Sequence, residues 1–131
     1  MKHPALRPLV WVGGSRKAFA RFPPGAADDF GRQLFLVQAG EDAPGEKLLT
    51  QGPLKGLGIR AIRVDYERDT YRVVYTVKLA TAVYVLHAFK KKSKFGISTP
   101  VHEMEVIRQR FLTAVQIERA RRTSFNGEGN E

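Results

Sequence analysis

Three runs rich in β-branched and aromatic residues occupy residues 59–90, whose sequence is IRAIRVDYERDTYRVVYTVKLATAVYVLHAFK. The connections between the runs are short enough for hairpins. In the central run, Tyr71 and Tyr75 fall on one face of a strand, while Arg72 and Thr76 fall on the other. The stretch therefore predicts an antiparallel meander of three strands, over residues 59–65, 71–78 and 82–90.

Helical patterns precede the meander. A brief helix is predicted to begin at Ser15, as its cap, and to end at Pro23 and Pro24. A second helix follows from Pro24 to a stop at Gly40, because apolar residues recur at spacings of three and four. These residues are Ala27, Phe30, Leu34 and Val37. The two patterns predict a helical hairpin.

The remaining segments are a long connection and a final helix. Residues 41–58 are rich in Gly, Pro and charge and are interpreted as a loop. A helix is predicted after Thr99 as cap, with Pro100 at its first position and an apolar stripe including Ile107. From about Thr123 the tail is expected to fray. The predicted fold is one α+β domain over residues 1–131, with an N-terminal helical hairpin packed on a small antiparallel sheet and a C-terminal helix.

Composition limits the classes of function. The chain has 131 residues and no cysteine, which excludes disulfides, thiolate zinc sites and cysteine nucleophiles. No run approaches the roughly 18 apolar residues of a membrane span, and the first twelve residues lack a signal-peptide core. We therefore expect a cytoplasmic protein with no membrane partner.

Positive charge is concentrated in the meander. Lys and Arg total 22 against 13 Asp and Glu, a net charge of +9. Residues 55–95 hold ten basic and three acidic side chains, so +7 of that charge lies in this segment. Lysines on strand surfaces can serve solubility alone. The skew favours a face that binds a polyanion.

Few catalytic chemistries can be assembled from these residues. His3, His87 and His102 match no metal-ligand spacing, and the chain has no Gly-x-Ser-x-Gly elbow. No metal or cofactor is expected. The basic residues of adjacent strands could instead converge on a phosphodiester: Arg60, Arg63, Arg72, Lys90, Lys91, Lys92 and Lys94. Metal-free RNA cleavage needs a base, cations that stabilise the phosphorane, and an acid.

The last run also carries Tyr84, His87 and Phe89. These side chains could stack on an unpaired base, and His87 could exchange a proton near neutral pH. Each has a structural alternative, as core, cleft wall or hydrogen-bonded histidine. Strict alternation places Tyr84 on the pleat opposite to His87 and Phe89.

Three motifs carry a family resemblance: YRVVY at residues 71–75, LHAFKKKS at 86–93, and STP at 98–100 leading into a helix. In these the chain resembles the RelE/ParE toxin superfamily and, more narrowly, its phage-derived HigB-like group. The resemblance implies a type II toxin that cleaves mRNA on the ribosome. It also implies a cognate antitoxin as partner, often one with a helix-turn-helix.

The resemblance further implies roles for individual residues. Arg72 matches the arginine of the central strand, Arg63 the basic end of the preceding strand, and Lys91 lies near the basic position after the last strand. Together with His87, these are the expected catalytic residues, and Arg60, Lys90, Lys92 and Lys94 are the expected RNA contacts. The chain has Ile59 and Ala61 where ribosome-dependent members place two lysines, and no clear counterpart of their C-terminal tyrosine. The general base and acid are therefore not assigned.

Two other functions are compatible with these residues. A ParE-like inhibitor of DNA gyrase shares the fold and acts by binding a protein. A basic module that binds nucleic acid without cleaving it would show a steep salt dependence of binding.

Overall fold

The computed structural model describes residues 6–91 and 100–129, with side chains in the last helix described to residue 125. The elements in chain order are β1 (Leu9–Trp11), α1 (Ser15–Phe19), α2 (Pro24–Gln38), β2 (Glu46–Leu48), a 3-10 turn (Gly52–Leu54), β3 (Ile59–Tyr66), β4 (Asp69–Thr76), β5 (Val83–Lys91) and α3 (Val101–Gly129). The α+β fold class is confirmed.

The described strands form one five-stranded sheet in the order β1-β5-β4-β3-β2. The meander β3-β4-β5 is antiparallel, as the sequence predicts. Two short strands extend it. β1 pairs parallel to β5, and β2 pairs antiparallel to β3. The prediction that residues 41–58 are only a loop is thus wrong, because β2 and a 3-10 turn lie within them.

The helical hairpin covers one face of the sheet. From α2, Phe30 and Leu34 are buried against a layer that includes Val73 and Val85. Gly40 ends α2 with φ +89°, and the hydrogen bond from Glu41 N–H to Leu36 C=O (2.9 Å) closes the last turn.

Ser15 does not cap α1, contrary to the prediction. Gly14 is the residue that precedes the helix, and no side chain caps it. The Ser15 side chain is buried and its Oγ donates to the Val85 carbonyl oxygen at 3.0 Å. A buried hydroxyl requires a hydrogen-bond partner, and this bond joins α1 to β5.

Helix α3 covers the other face. Ile107 and Ala114 are fully buried in a cluster with Val74 and Leu86 of the sheet. The helix begins at Val101, one residue later than predicted, and the Pro100 carbonyl accepts from Met104 N–H at 3.0 Å. The predicted cap, residue 99, lies outside the described residues. No helix in the described ranges is both long and apolar enough to cross a membrane.

The second half of α3 is anchored by a buried carboxylate. Glu118 is 3 % exposed and accepts hydrogen bonds from Tyr84 Oη (2.8 Å), Thr81 Oγ1 (2.6 Å) and Arg122 Nε (2.9 Å). Although burial opposes ionisation, these donors lower the pKa of Glu118 to about 2. The helix continues past residue 123 to Gly129, so the tail expected to fray is helical to that point.

Candidate nucleic-acid interface

The cationic face is set by the register of the β3-β4 hairpin. The two-residue turn at Glu67 and Arg68 has φ +47° and +73°, a geometry that suits the twist of paired strands. It places Arg63 directly opposite Arg72, and Arg72 opposite Phe89 of β5. These three side chains form one row across the sheet, on the face that α3 partly covers.

Like charges lie close together in this row. Arg72 is 8 % exposed, and its burial, followed by repulsion from Arg63, lowers its pKa. Partial burial, and then repulsion from Arg72 and Arg63, lower the pKa of Lys91. Lys91 is paired with Thr70, which is two residues from Arg72 on β4, so Lys91 lies beside the row on the same face of the sheet. Directly opposed like charges repel, and an anion bound between Arg63 and Arg72 would relieve that repulsion.

Beside this row lies a hollow of about 200 Å³, lined by Gly45, Lys47, Leu49, Ala61, Arg63 and Arg72. Lys47 comes from the edge strand β2 and is paired with Ala61. Sequence reasoning missed Lys47, because a strand of three residues has no detectable alternation. Its position follows only from the pairing of β2 with β3.

Arg63 is oriented by an acidic neighbour. Its Nε donates to Asp65 Oδ1 at 3.1 Å, and Thr70 Oγ1 donates to the same oxygen at 2.8 Å. The hydrogen bond from Thr70, and then the one from Arg63, lower the pKa of Asp65. Half of the Arg63 side chain is exposed, so its guanidinium can still contact a ligand.

Arg60 and Lys90 lie on the opposite face of the sheet. Arg60 is three residues from Arg63, an odd spacing that reverses the face, and its Nη1 pairs with Glu46 Oε1 at 2.8 Å. Lys90 pairs with Asp69 Oδ2 at 3.1 Å. The structure does not bring either residue to the hollow. The predicted contacts at positions 92 and 94 lie outside the described residues.

A bulge in β5 changes the orientation of His87. Val74 is paired with His87 and Tyr75 with Val85, so Leu86 is an extra residue on β5. The bulge places Leu86 and His87 both toward α3. The expectation that Tyr84 and His87 lie on opposite pleats is therefore wrong, because strict alternation fails at this point.

His87 is held by α3 through both ring nitrogens. Nδ1 accepts from Arg110 Nη1 at 3.1 Å, and Nε2 is hydrogen-bonded to the Glu103 carboxylate. Burial, which outweighs the opposing effect of Glu103, lowers the pKa of His87, and Arg110 and His102 act in the same direction. Because Arg110 can only donate, His87 is neutral with its proton on Nε2. Its ring stacks on Phe89, with centroids 5.0 Å apart.

The two other aromatic candidates differ in their surroundings. Tyr84 is fully buried in the α3 layer, where it supports Glu118. Phe89 is partly buried and lies directly opposite Arg72. Stacking on His87 therefore fixes the ring of Phe89, which lies next to Arg72 in the row.

Comparisons with known proteins identify one family and one solved structure with partial similarity. The chain is similar to a chain in the crystal structure of the toxin-antitoxin complex RelBE2 from Mycobacterium tuberculosis, with a TM-score of 0.48 and 18 % identity over 66 % of this chain and 99 % of that chain. A search of the curated proteins finds no match. The family model described as Phage derived protein Gp49-like (DUF891) matches residues 17–112. This match spans most of the chain and all of β3, β4 and β5, and the protein belongs to the Gp49-like phage-derived family.

Proposed function

We propose that this protein is the toxin of a type II toxin-antitoxin system and cleaves mRNA on the ribosome by metal-free attack of a 2′-hydroxyl. The observation that carries the proposal is the pairing of Arg63 with Arg72 across two strands, with Lys91 beside them on the same face of the sheet. The motifs shared with RelE/ParE toxins support it. The finer assignment to the HigB-like group, and a cytoplasmic location, are part of the same proposal.

The arginines fit the middle step of this chemistry. A base takes the 2′-hydroxyl proton as the 2′-oxygen attacks phosphorus, the phosphorane gains negative charge, and the bond to the 5′-oxygen breaks as an acid protonates that oxygen. The products are a 2′,3′-cyclic phosphate and a 5′-hydroxyl. A guanidinium donates two parallel hydrogen bonds to phosphate oxygens and remains protonated. We assign Arg72 and Arg63 to the phosphorane.

We assign Lys91, which lies on the same face of the sheet as Arg72, to proton transfer at this site. A lowered pKa brings an ammonium group closer to the range in which it can exchange its proton. His87 has both nitrogens engaged by α3. We therefore assign His87 to positioning Phe89 rather than to proton transfer, and Phe89 to the wall against which an unpaired base packs.

A toxin of this type requires an antitoxin. We propose that the partner is a small helix-turn-helix protein encoded next to this chain. Co-expression of a neighbouring reading frame should restore growth to cells that express the toxin. Failure of every adjacent frame to do so would contradict the two-component assignment.

The test is induction of the wild-type chain and of Arg72→Gln, with transcripts mapped by primer extension. Loss of one preorganised cationic donor should slow cleavage by about 10²–10³-fold. Arg72→Lys keeps the charge but loses the two parallel donors of the guanidinium, so its cleavage rate should lie between those of the wild type and Arg72→Gln. Arg16→Gln, on the exposed surface of α1 in the opposite layer, is the matched control and should cleave as the wild type does.

Each alternative function has its own signature in this test. Intact transcripts with inhibited DNA supercoiling by purified gyrase would indicate a ParE-like inhibitor. Salt-dependent RNA binding without cut transcripts would indicate a non-catalytic module. Full toxicity of Arg72→Gln at equal expression would remove the role assigned to that residue.

A further inference from the structure

The edge strand β2 adds a cation to the hollow. Lys47 is paired with Ala61, which is two residues from Arg63 and so on the same face. The small side chain of Ala61 forms the floor between Lys47 and the arginine row. Strands lie about 4.8 Å apart, so β2 and β4 are separated by about 10 Å. Lys47 therefore faces the hollow from the side opposite to Arg72.

We propose that Lys47 binds an RNA phosphate next to the scissile one, which makes β2 the second contact with the RNA backbone. The proposal rests on the proposed function and extends it. Lysine acts as a point charge and needs no fixed fork geometry. Its side chain is exposed, so its ammonium group is accessible to a strand that crosses the sheet from β4 toward β2.

Buried contacts from α2 hold the start of β2 in place. Gln33 is 8 % exposed, and its Oε1 accepts from Gly45 N–H at 2.8 Å. The Gly45 carbonyl accepts from Arg63 N–H at 3.1 Å. A Cβ on Gly45 would lie 2.8 Å from the Arg63 carbonyl oxygen, so glycine is required for this approach. The start of β2 is thus hydrogen-bonded directly to Arg63, which we assign to the phosphorane.

The other face of β2 is fixed as well. Glu46 Oε1 pairs with Arg60 at 2.8 Å, and Glu46 Oε2 accepts from Tyr75 Oη at 2.8 Å. Because neighbouring residues of a strand point to opposite faces, fixing Glu46 on one side directs Lys47 into the hollow on the other. Arg60 accordingly positions β2 from the face opposite to the hollow.

The experiment compares Lys47→Gln and Lys47→Arg with Lys17→Gln, an equal change of charge on the exposed surface of α1 in the opposite layer. The probe is a single-stranded RNA of about 12 nucleotides with 2′-deoxyribose at the mapped cleavage position, so that binding is measured without cleavage. Lys47→Gln should reduce the slope of log K against log salt by about 0.7, the value for one phosphate contact. Lys47→Arg should retain the wild-type slope.

The outcomes separate this inference from the proposed function. Equal slopes for Lys47→Gln and Lys17→Gln, with RNA cleaved by the wild type, would overturn the Lys47 contact and leave the nuclease intact. A reduced slope for Lys47→Gln, with no cleavage by the wild type, would support the contact and remove the nuclease. Absence of salt-dependent binding by the wild type would overturn the Lys47 contact, and intact transcripts in cells that express the wild type would remove the nuclease as well.

Discussion

Replacing Glu118 by Gln tests how α3 is held over the sheet. The substitution keeps the shape of the side chain and removes the negative charge of the carboxylate, whose oxygens accept hydrogen bonds from Tyr84, Thr81 and Arg122. A buried ionised carboxylate is stabilising only when such donors surround it. We therefore expect the variant to fold with a weaker attachment between α3 and the β4-β5 connection.

The pKa of Glu118 gives the size of the effect. Its pKa is about 2 in the folded chain, against 4.5 for an unperturbed glutamate side chain. At about 1.4 kcal/mol per pKa unit, the difference corresponds to at most about 3–4 kcal/mol of stability. Since the folded pKa is the lower one, this stability is complete above pH 4.5 and is lost as the pH falls toward 2.

Urea denaturation at pH 3, 5 and 7 measures this effect. At pH 5 and 7, Glu118→Gln should lose about 2–3 kcal/mol, equivalent to about 10 °C in Tm for a chain of this size. At pH 3 the difference from wild type should be smaller. Glu105→Gln, an exposed position on the same helix, is the control and should change stability by less than about 0.5 kcal/mol. A loss of stability that is the same at all three pH values would show that the Glu118 charge does not stabilise the fold.

Two further predictions concern the Arg110–His87 contact. An NMR titration should find the pKa of His87 below 6.5 with the proton on Nε2; a pKa above 6.5, or a proton on Nδ1, would contradict the described contacts. Gly13→Ala should lower the free energy of unfolding by about 1–2 kcal/mol, because φ is +58° and a Cβ would lie 2.8 Å from Arg110 Nε. The control is Gly31→Ala on α2, where a Cβ meets no other atom, and it should be neutral or stabilising. Equal effects of the two substitutions in thermal denaturation would contradict this.

The meander could be predicted because its strands are long and alternate clearly. β1 and β2 have three residues each, too few for a periodic signal. Both are specified by pairing with distant residues: β1 with β5, more than 70 positions away, and β2 with β3. The sheet was therefore underestimated at both edges, and Lys47 was missed with it.

Strand alternation alone could have divided the basic residues between the two faces of the sheet. Arg60 and Arg63 are three positions apart, and Lys90 and Lys91 are adjacent, so each pair is separated onto opposite faces. The side chain of His87 could not be placed in this way. The bulge at Leu86 reverses its face, and no residue in β5 signals the bulge.

In the proposed reaction, Arg63, Arg72 and Lys91 act on one scissile phosphate that is attacked by the neighbouring 2′-hydroxyl. Its most direct test is the product of a transcript with one 2′-deoxynucleotide at the mapped position, incubated with wild-type protein and ribosomes. We expect no cleavage at that position of the deoxy transcript. The unmodified transcript should yield a 2′,3′-cyclic phosphate and a 5′-hydroxyl at the same position. Cleavage of the deoxy transcript at an undiminished rate would contradict the proposed reaction.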